Sequence, residues 1–172
     1  DLPYDHGEML KSGCLADFKI IVGSHEFSVH KAILAARSSV LQTMLTSHME
    51  ESALNEMKIH DLSKDIVADM ISYIYTDKVE DLPKKAKDLL PAAEKYDLAG
   101  LKASCSKILI QQISLKTAVY LFAFAEMYNV PNLRDDALQF IIVNKEHYRA
   151  DPAWQKTFRG NTFLLFSLWN TF

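Results

Sequence analysis

The stretch from His30 to Ser52, HKAILAARSSVLQTMLTSHMEES, constrains the fold most because it carries two consecutive apolar patterns of helical period. Apolar side chains recur at spacings of three and four on both sides of Arg37-Ser38-Ser39, as in two short amphipathic helices. Ser39 and Gln42 have the spacing of a capping box, in which each side chain satisfies a free backbone N–H. The stretch therefore predicts a helical hairpin, with an apolar stripe made of Ile33, Leu34, Val40, Leu41, Met44 and Leu45.

After Thr46 the apolar pattern stops, and residues 47–52 are polar except for Met49. A single methionine among charged neighbours buries little of its own domain, which leaves two interpretations open. The segment is either a solvated linker with an incidental methionine, or a contact loop. A contact loop would offer a flexible apolar side chain, with a carboxylate beside it, to a partner.

The composition limits the possible partners. A chain of 172 residues can bury roughly 70% of its surface, enough for one core, or one core plus a small satellite. The net charge of −3 and the single basic cluster at residues 84–87 do not favour nucleic-acid binding. Cys14 and Cys105 each lie alone, which suits a reducing compartment.

The ends and the hydropathy of the chain suggest a fragment that does not enter a membrane. The sequence begins Asp1-Leu2-Pro3 without an initiator methionine, which predicts an excised piece of a longer protein. We identify neither an N-terminal signal peptide nor an apolar run of the ~18 to 20 residues that a membrane span needs. No membrane partner is therefore expected.

The first third of the chain predicts a small sheet. Asp1 to Gly13 suggests a short helix or an arm lying on a neighbour, too short to fold alone. Residues 17–22 and 25–30 are typical of two strands joined by a tight turn at Gly23-Ser24. Residues 55–62 predict a third strand.

Helices are predicted for the remainder. Ser63 is the expected cap of a helix that ends near Thr76, and residues 84–96 and 98–112 predict a second helical hairpin. Pro91 falls where helix interior is expected, which predicts a kink or a helix start near it, because proline removes a backbone donor.

From Ser114 onward the pattern is helical. The first stripe consists of Leu115, Ala118, Val119, Phe122 and Ala125, and Pro131 suits the first turn of the next helix. Asp151-Pro152 predicts a further start, of a short helix that carries Trp154 and Phe158. Residues 161–172 would place apolar groups on every side of a helix, so part of them is expected to meet another surface.

The order of strands and helices, with the motifs DFKIIV, EFSVHKAILAARS and YIYTD at their junctions, resembles a BTB/POZ domain over residues 17–112. The segments HKAILAARS, HMEES and AAEKYDL resemble the speckle-type POZ protein branch, whose members carry a substrate-binding MATH domain ahead of the BTB domain. The helices after Ser114 resemble the shortened BACK region, including the 3-box. The resemblance implies an α+β fold in which a small sheet with helical hairpins precedes an all-α extension. Its parts are an N-terminal dimerisation arm at 1–16, the BTB/POZ domain at 17–112 and the BACK-like helices at 113–172.

The first implication of this resemblance is a partner. Members of this branch are adaptors of cullin-3 ubiquitin ligases, and a φ-x-E motif in the loop after the helical pair engages the cullin. Met49-Glu50-Glu51 matches that motif, with Met49 as the apolar anchor and Glu51 as the acidic partner. The resemblance also places Tyr75, Tyr96, Asp97 and the first 3-box helix beside the contact, and has substrates recruited by a domain outside this sequence.

The second implication is homodimerisation through the N-terminal arm and the first helical pair. Ile33 and Leu34 could equally be plain core residues. Asp17 and Lys31 match a charged pair beside the dimer groove of the family, and we interpret them as structural. The implied contact residues are Leu2, Met9, Leu10, Leu15, Ile33 and Leu34.

The third implication is a second self-association surface in the BACK-like helices, with Trp169 and Phe166 as its aromatic residues. Two such interfaces would build chains and raise avidity for multivalent substrates. The other interpretation is that Trp169 packs on Trp154 and Phe158 within its own subunit. The sequence leaves both open.

No catalytic motif and no metal-ligand spacing is recognisable, so we expect a binding module with neither cofactor nor enzymatic activity. The six histidines are scattered, and His25 and His30 are interpreted as surface or capping residues. Two rivals to the ligase adaptor stay open: a dimerisation domain of a repressor that binds corepressor peptides, and a scaffold that only oligomerises. A nuclear or cytoplasmic location is expected for the ligase adaptor.

Overall fold

The computed structural model describes residues 2–47 and 54–149. The chain divides into two compact units, Asp1–Cys105 and Ser106–Phe172. The first unit contains both strands and helices, and the described part of the second unit is helical. The predicted α+β class is confirmed.

The first unit holds three strands and most of the helices. Its elements are α1 (Leu2–Ser12), β1 (Phe18–Val22), β2 (His25–Val29), α2 (Lys31–Arg37), α3 (Ser39–Thr46), β3 (Glu56–Lys58), α4 (Lys64–Thr76) and α5 (Leu82–Lys95), followed by α6 (Ala99–Gln111), which crosses into the second unit. The N-terminal segment is therefore a helix.

The sheet has the order β2-β1-β3. The first two strands pair antiparallel, from Phe18 opposite Val29 to Val22 opposite His25, and Gly23 makes the turn with a φ of 60°. The third strand pairs parallel with β1, with Ile20 opposite Met57. Both of these side chains are buried, because alternate residues of each strand face the helices. The third strand is shorter than the predicted 55–62.

The predicted helical hairpin is confirmed as α2 and α3, but the cap between them lies one residue earlier than predicted. Ser38 has extended backbone angles, its Oγ accepts from the backbone N–H of Leu41 at 3.0 Å, and it is the N-cap of α3. Ser39 is already helical, so the capping box assigned to Ser39 and Gln42 is wrong. A cap residue must itself be non-helical, and only Ser38 satisfies that condition.

Two further predictions about the helices differ in outcome. Ser63 caps α4 as predicted, its Oγ accepting from the backbone N–H of Ile66 at 3.4 Å. Pro91 lies inside α5, which runs without interruption from Leu82 to Lys95, so a helix start near Pro91 is wrong. Its neighbours Leu89, Leu90, Ala92 and Ala93 are buried, and their packing outweighs the local preference of proline.

The described part of the second unit continues with α7 (Ala118–Met127), α8 (Pro131–Val143) and α9 (Lys145–Arg149). Pro131 stands in the first turn of α8 as predicted. Leu115 is exposed, contrary to its assignment to the buried stripe, because it precedes α7 and does not share its face. The core of this unit is formed by Ala118, Phe122, Ala137, Ile141 and Tyr148.

The predicted start at Asp151-Pro152, with Trp154 and Phe158, lies outside the described residues, as does the apolar stretch 161–172. Among the helices of residues 2–47 and 54–149, none has the length and apolar character to cross a bilayer.

Candidate functional site

The N-terminal end of α3 is fixed to the turn between α5 and α6. The Ser38 hydroxyl donates to the backbone carbonyl of Tyr96 at 2.5 Å, and the Ser39 hydroxyl donates to the carboxylate of Asp97. Asp97 has a φ of 50° and is exposed apart from this contact. An eight-residue helix spans about 12 Å, so α3 leads from this turn to the start of the Met-Glu-Glu loop, residues 48–53.

Both ends of the Met-Glu-Glu loop are anchored by the described residues, although Met49, Glu50 and Glu51 themselves lie outside them. At the first end, the Ser47 N–H donates to the Thr43 carbonyl at 2.9 Å and the Ser47 hydroxyl donates to the Met44 carbonyl at 3.2 Å. At the second end, the Asn55 carbonyl accepts from the Lys19 N–H at 3.0 Å. The described residues on either side of this segment, Ser47 and Asn55, are therefore both held by hydrogen bonds.

Lys31 and Asp17 belong to the second anchor. The Asp17 carboxylate accepts from the backbone N–H of Lys31 at 2.8 Å, which satisfies a free donor in the first turn of α2. The Lys31 ammonium bonds the side-chain oxygen of Asn55 and lies 5.7 Å from the ring centroid of Phe18. The contacts of Asp17 and Lys31 thus lie within one subunit. The Asp17 carboxylate binds the start of α2, and the Lys31 side chain contacts Asn55 and the ring of Phe18.

Two of the residues predicted to flank the cullin contact lie in the core. Tyr75 is 2% exposed and Tyr96 is 3% exposed, and burial raises the pKa of both phenols. Side chains with so little surface cannot present themselves to a partner, so their assignment to the cullin contact is wrong. Of the three predicted flanking residues, Asp97 alone keeps an exposed side chain.

His30 is buried, so the surface interpretation is wrong, and it stands at the N-cap position of α2 without a side-chain capping bond. Its backbone N–H donates to the Tyr75 Oη at 2.8 Å, its Nδ1 lies 2.8 Å from the same Oη, and its Nε2 lies 2.7 Å from the Cys14 carbonyl. One neutral tautomer satisfies every contact: Nε2–H donates to the carbonyl, while the Tyr75 hydroxyl donates to Nδ1. His30 and Tyr75 thus tie the residue before α2 to α4 and to the turn after α1.

Tyr75→Phe tests this group of hydrogen bonds. Removing the hydroxyl leaves the His30 backbone N–H and Nδ1 buried without their partner, so we expect the free energy of unfolding to fall by about 1–3 kcal/mol. Urea denaturation followed by circular dichroism measures the change. Tyr4→Phe is the matched control, because Tyr4 is exposed on α1 and its substitution should leave stability unchanged. Equal stability of both variants would contradict the structural role of the Tyr75 hydroxyl.

The predicted dimer residues divide into exposed and buried sets. Leu15 is 85% exposed and has a φ of 61°, Leu2 is exposed, and Met9, Leu10 and Ile33 are half-buried. Leu34 is fully buried within its own subunit, so its assignment to the dimer contact is wrong. It points into the core because it lies on the inner side of α2, while Ile33 keeps part of its surface.

The N-terminal helix lies along α4 of its own chain. A Cβ atom at Gly7 would stand 3.2 Å from the Cγ2 of Thr76, so the two helices approach closely at this point. The arm therefore packs one side against α4, although none of its residues is fully buried. Leu2 and Tyr4 remain exposed on it.

The two cysteines differ in chemistry. Cys14 is exposed, whereas Cys105 is buried, and burial raises the pKa of its thiol from 9.0 to about 12. We expect iodoacetamide at pH 8 to label the native chain once, at Cys14, and both cysteines after unfolding. Mass spectrometry of the peptides measures the labels, with Cys14→Ser as the control that should stay unlabelled while folded. Labelling of native Cys105 would contradict its burial.

The raised pKa of the Cys105 thiol also predicts that the free energy of unfolding depends on pH. A pKa that is higher in the folded chain favours folding below about pH 9, and that contribution is lost as the pH rises from 9 through about 12.

The second unit offers aromatic and apolar side chains on α7. The rings of Tyr120 and Phe124 are 5.8 Å apart between centroids, and those of Phe124 and Tyr128 are 4.7 Å apart. Met127 is 74% exposed. Trp169 and Phe166, the predicted second interface, lie outside the described residues, so that prediction is untested by the structure.

Within residues 2–47 and 54–149, no group of three histidine, cysteine or acidic side chains could hold a metal ion. Two parts of the described surface point to a function: Asp97 at the N-terminal end of α3, whose other end leads to the Met-Glu-Glu loop, and the exposed residues of α1 and the following turn.

Comparison with known proteins places these features in context. A family model described as BTB/POZ domain matches residues 7–113. The chain is 36% identical over 163 residues to TD and POZ domain-containing protein 3 of Mus musculus, covering 94% of this chain and 45% of that protein. It is 33% identical over 163 residues to Protein maternal effect lethal 26 of Caenorhabditis elegans, covering 94% of this chain and 41% of that protein. The structure of the BTB domain of zebrafish PATZ1 resembles it with a TM-score of 0.55 at 24% identity, covering 63% of this chain and 88% of that one.

These comparisons support the BTB/POZ domain but leave the finer predictions from the sequence open. The chain spans less than half the length of the curated relatives named above. The mouse relative is a TD and POZ domain-containing protein, whereas the sequence motifs resemble the speckle-type branch. The family match ends at residue 113, so the BACK resemblance of the later helices stays a prediction.

Proposed function

Because this chain belongs to the BTB/POZ domain family, we propose that it is the homodimeric substrate-adaptor module of a cullin-3 ubiquitin ligase. BTB domains are protein–protein interaction modules that dimerise, and they are generally not enzymes. The proposal adds the partner, and it places the chain in the speckle-type branch, in the nucleus or cytoplasm, with substrates recruited by a domain outside this sequence. Such an adaptor transfers no chemical group and acts by proximity.

The observation that carries the proposal is the anchoring of the Met-Glu-Glu loop at both ends. Ser47 is held to α3, and Asn55 is held to β1 and Lys31, so the seven residues between them start and finish at fixed positions. A short loop on fixed ends loses less conformational entropy on binding than a free linker does. This favours the contact-loop interpretation of Met49-Glu50-Glu51 over the solvated linker.

The charge around α3 supports a partner with basic side chains. Glu50 and Glu51 follow the C-terminal end of α3 in the sequence, and the exposed carboxylate of Asp97 lies at the N-terminal end of this helix, which is about 12 Å long. Acidic groups of this kind steer association and select partners more than they add affinity. Met49, the apolar residue of the same motif, would supply most of the binding energy.

Self-association would use the exposed surface of α1 and the turn after it. Leu2 and Leu15 are exposed, and Met9, Leu10 and Ile33 keep part of their surface. A two-fold interface presents the same patch from both subunits, so these residues would meet their own copies or one another. The proposed module is therefore a dimer that carries two Met-Glu-Glu loops.

Calorimetric titration of the full chain with the cullin-3 N-terminal domain tests the proposal, and light scattering of the same sample measures the oligomeric state. We expect saturable binding of one cullin domain per protomer to a dimer. Absence of heat and of co-elution, with the dimer intact, would overturn the adaptor function. A self-association module, or a dimer that binds corepressor peptides, would then remain.

A further inference from the structure

The central strand of the sheet, β1, divides its backbone hydrogen bonds between two neighbours. The Lys19 N–H donates to the Asn55 carbonyl at 3.0 Å, just before β3. The Ile21 carbonyl accepts from the Ile59 N–H at 2.9 Å, just after β3. Lys19 and Ile21 therefore direct their backbone groups toward β3, and the residues that alternate with them bond toward β2. Those residues are Phe18, Ile20 and Val22.

This division fixes which backbone groups of β2 face outward. Val29, Phe27 and His25 stand opposite the β1 residues that bond toward β2. Because bonded and non-bonded positions alternate along an antiparallel pair, Glu26 and Ser28 direct their backbone N–H and C=O groups away from β1. In residues 2–47 and 54–149, no other strand lies on that side of β2. Such an edge is a template for the addition of another strand.

A groove of about 440 Å³ lies beside this edge, between β2, the end of α1 and α4. Its walls include the half-buried ring of Phe27, with Ala68 and Ile71 of α4 and Lys11 of α1. Residues directly opposite each other in an antiparallel pair place their side chains on the same face. A strand added to β2 would therefore place the side chain opposite Phe27 on the side of this groove.

We propose that a second copy of this chain adds its own β2 to this edge, antiparallel and about a two-fold axis at Phe27. The two three-stranded sheets then join into one. In this register Glu26 of each copy stands opposite Ser28 of the other, and the pairs exchange backbone hydrogen bonds that satisfy every outward group of both edges. The Phe27 rings meet at the axis, each on the side of the other copy's groove.

The charges on the exposed face of the sheet are compatible with this pairing. The Glu26 carboxylate accepts from the Lys19 ammonium of its own subunit at 2.9 Å, so each edge brings a neutral pair. The side chain that stands opposite Glu26 in the proposed register is the hydroxyl of Ser28, which can donate to a carboxylate. The edge is thus complementary to itself in hydrogen bonding and in charge, which favours a second copy as its occupant.

Cysteine cross-linking between two variants tests the register. Glu26→Cys and Ser28→Cys are prepared separately in a Cys14→Ser background of the full chain, and Cys105 is retained because it is buried. Opposite residues of a hydrogen-bonded pair are about 5.5 Å apart between Cα atoms, within reach of a disulfide, whereas diagonal positions are too far apart. In a glutathione redox buffer we expect the mixture to give about tenfold more covalent dimer than either variant alone.

Lys19→Cys mixed with Ser28→Cys is the matched control. Lys19 is exposed on the same face of the sheet but belongs to the central strand, so this mixture should give no excess of covalent dimer. The Ile33→Asp background separates the β2 contact from the proposed α1 surface, and the excess from Glu26→Cys with Ser28→Cys should persist in it.

Ser28→Pro supplies a measurement without added cysteines. It removes one outward N–H from each copy, and edge strands tolerate proline where the N–H faces away from the sheet. Sedimentation velocity of the Ile33→Asp chain should show self-association that Ser28→Pro weakens about tenfold or more, while circular dichroism shows an unchanged fold. Equal cross-linking in the mixture and in the single variants, or association of the folded chain unaffected by Ser28→Pro, would overturn the proposal.

Discussion

Met49→Ala is expected to weaken binding of the cullin-3 N-terminal domain by about 30-fold or more, equivalent to ~2 kcal/mol. Truncating the apolar anchor removes the side chain that would fill the partner's pocket, while the anchors at Ser47 and Asn55 stay in place. Calorimetric titration measures the change in affinity. Light scattering of the variant should match the parent chain, because Met49 is not among the residues of the proposed dimer surface, and thermal unfolding of both chains shows whether the variant is folded.

Matched substitutions show whether the effect belongs to the Met-Glu-Glu loop. Leu54→Ala truncates an exposed apolar side chain directly after the loop, and we expect little change in affinity. Glu51→Gln keeps shape and removes charge, so its effect should be smaller than that of Met49→Ala and should diminish at high salt. Equal losses for Met49→Ala and Leu54→Ala would contradict an anchor at Met49.

Leu34→Ala is expected to lower the free energy of unfolding by about 2–5 kcal/mol, because it removes a fully buried side chain and leaves a cavity in the core. The family resemblance implies a dimer contact for Leu34, whereas its complete burial predicts a role in the core of the subunit. Urea denaturation of the variant and its parent measures the loss. The m-value should stay constant if the same cooperative transition is observed.

The neighbouring residue gives the comparison. Ile33 keeps part of its surface, so Ile33→Asp should dissociate the dimer while the subunits stay folded. Leu34→Ala, measured at a concentration where its subunits are folded, should remain dimeric. A dissociated dimer with unchanged stability for Leu34→Ala would restore Leu34 to the interface and contradict its core role.

Local pattern was enough to predict much of the fold. The spacing of apolar residues around Arg37 predicts two helices, and α2 and α3 are found there. The turn at Gly23-Ser24 and the cap at Ser63 were predicted for the same reason, because turns and caps depend on a few adjacent residues. The cap of α3 was misplaced by one residue, since Ser38 and Ser39 are chemically alike and only backbone angles separate them.

Contacts between residues that are far apart in the sequence cannot be predicted from local patterns. His30 and Tyr75 stand 45 residues apart, and no local pattern reveals that their side chains meet. A polar residue at the junction of a strand and a helix, together with a tyrosine on the apolar face of a later helix, was the available signal. Tyr75 and Tyr96 were assigned to a surface by family position, whereas their burial depends on packing that spacing does not encode.

The parallel pairing of β1 with β3 has a consequence for evolution. Lys19 lies opposite Glu56 in this pairing. The chain between the two strands, which includes residues 48–53, is therefore one long crossover connection whose ends are held together by the sheet. Lengthening such a segment adds little closure entropy, about 0.6 kcal/mol for each doubling. Insertions and deletions in the Met-Glu-Glu loop should therefore be tolerated by the fold. Related chains could diversify their choice of partner by small changes in loop length, while the sheet and its helices stay intact.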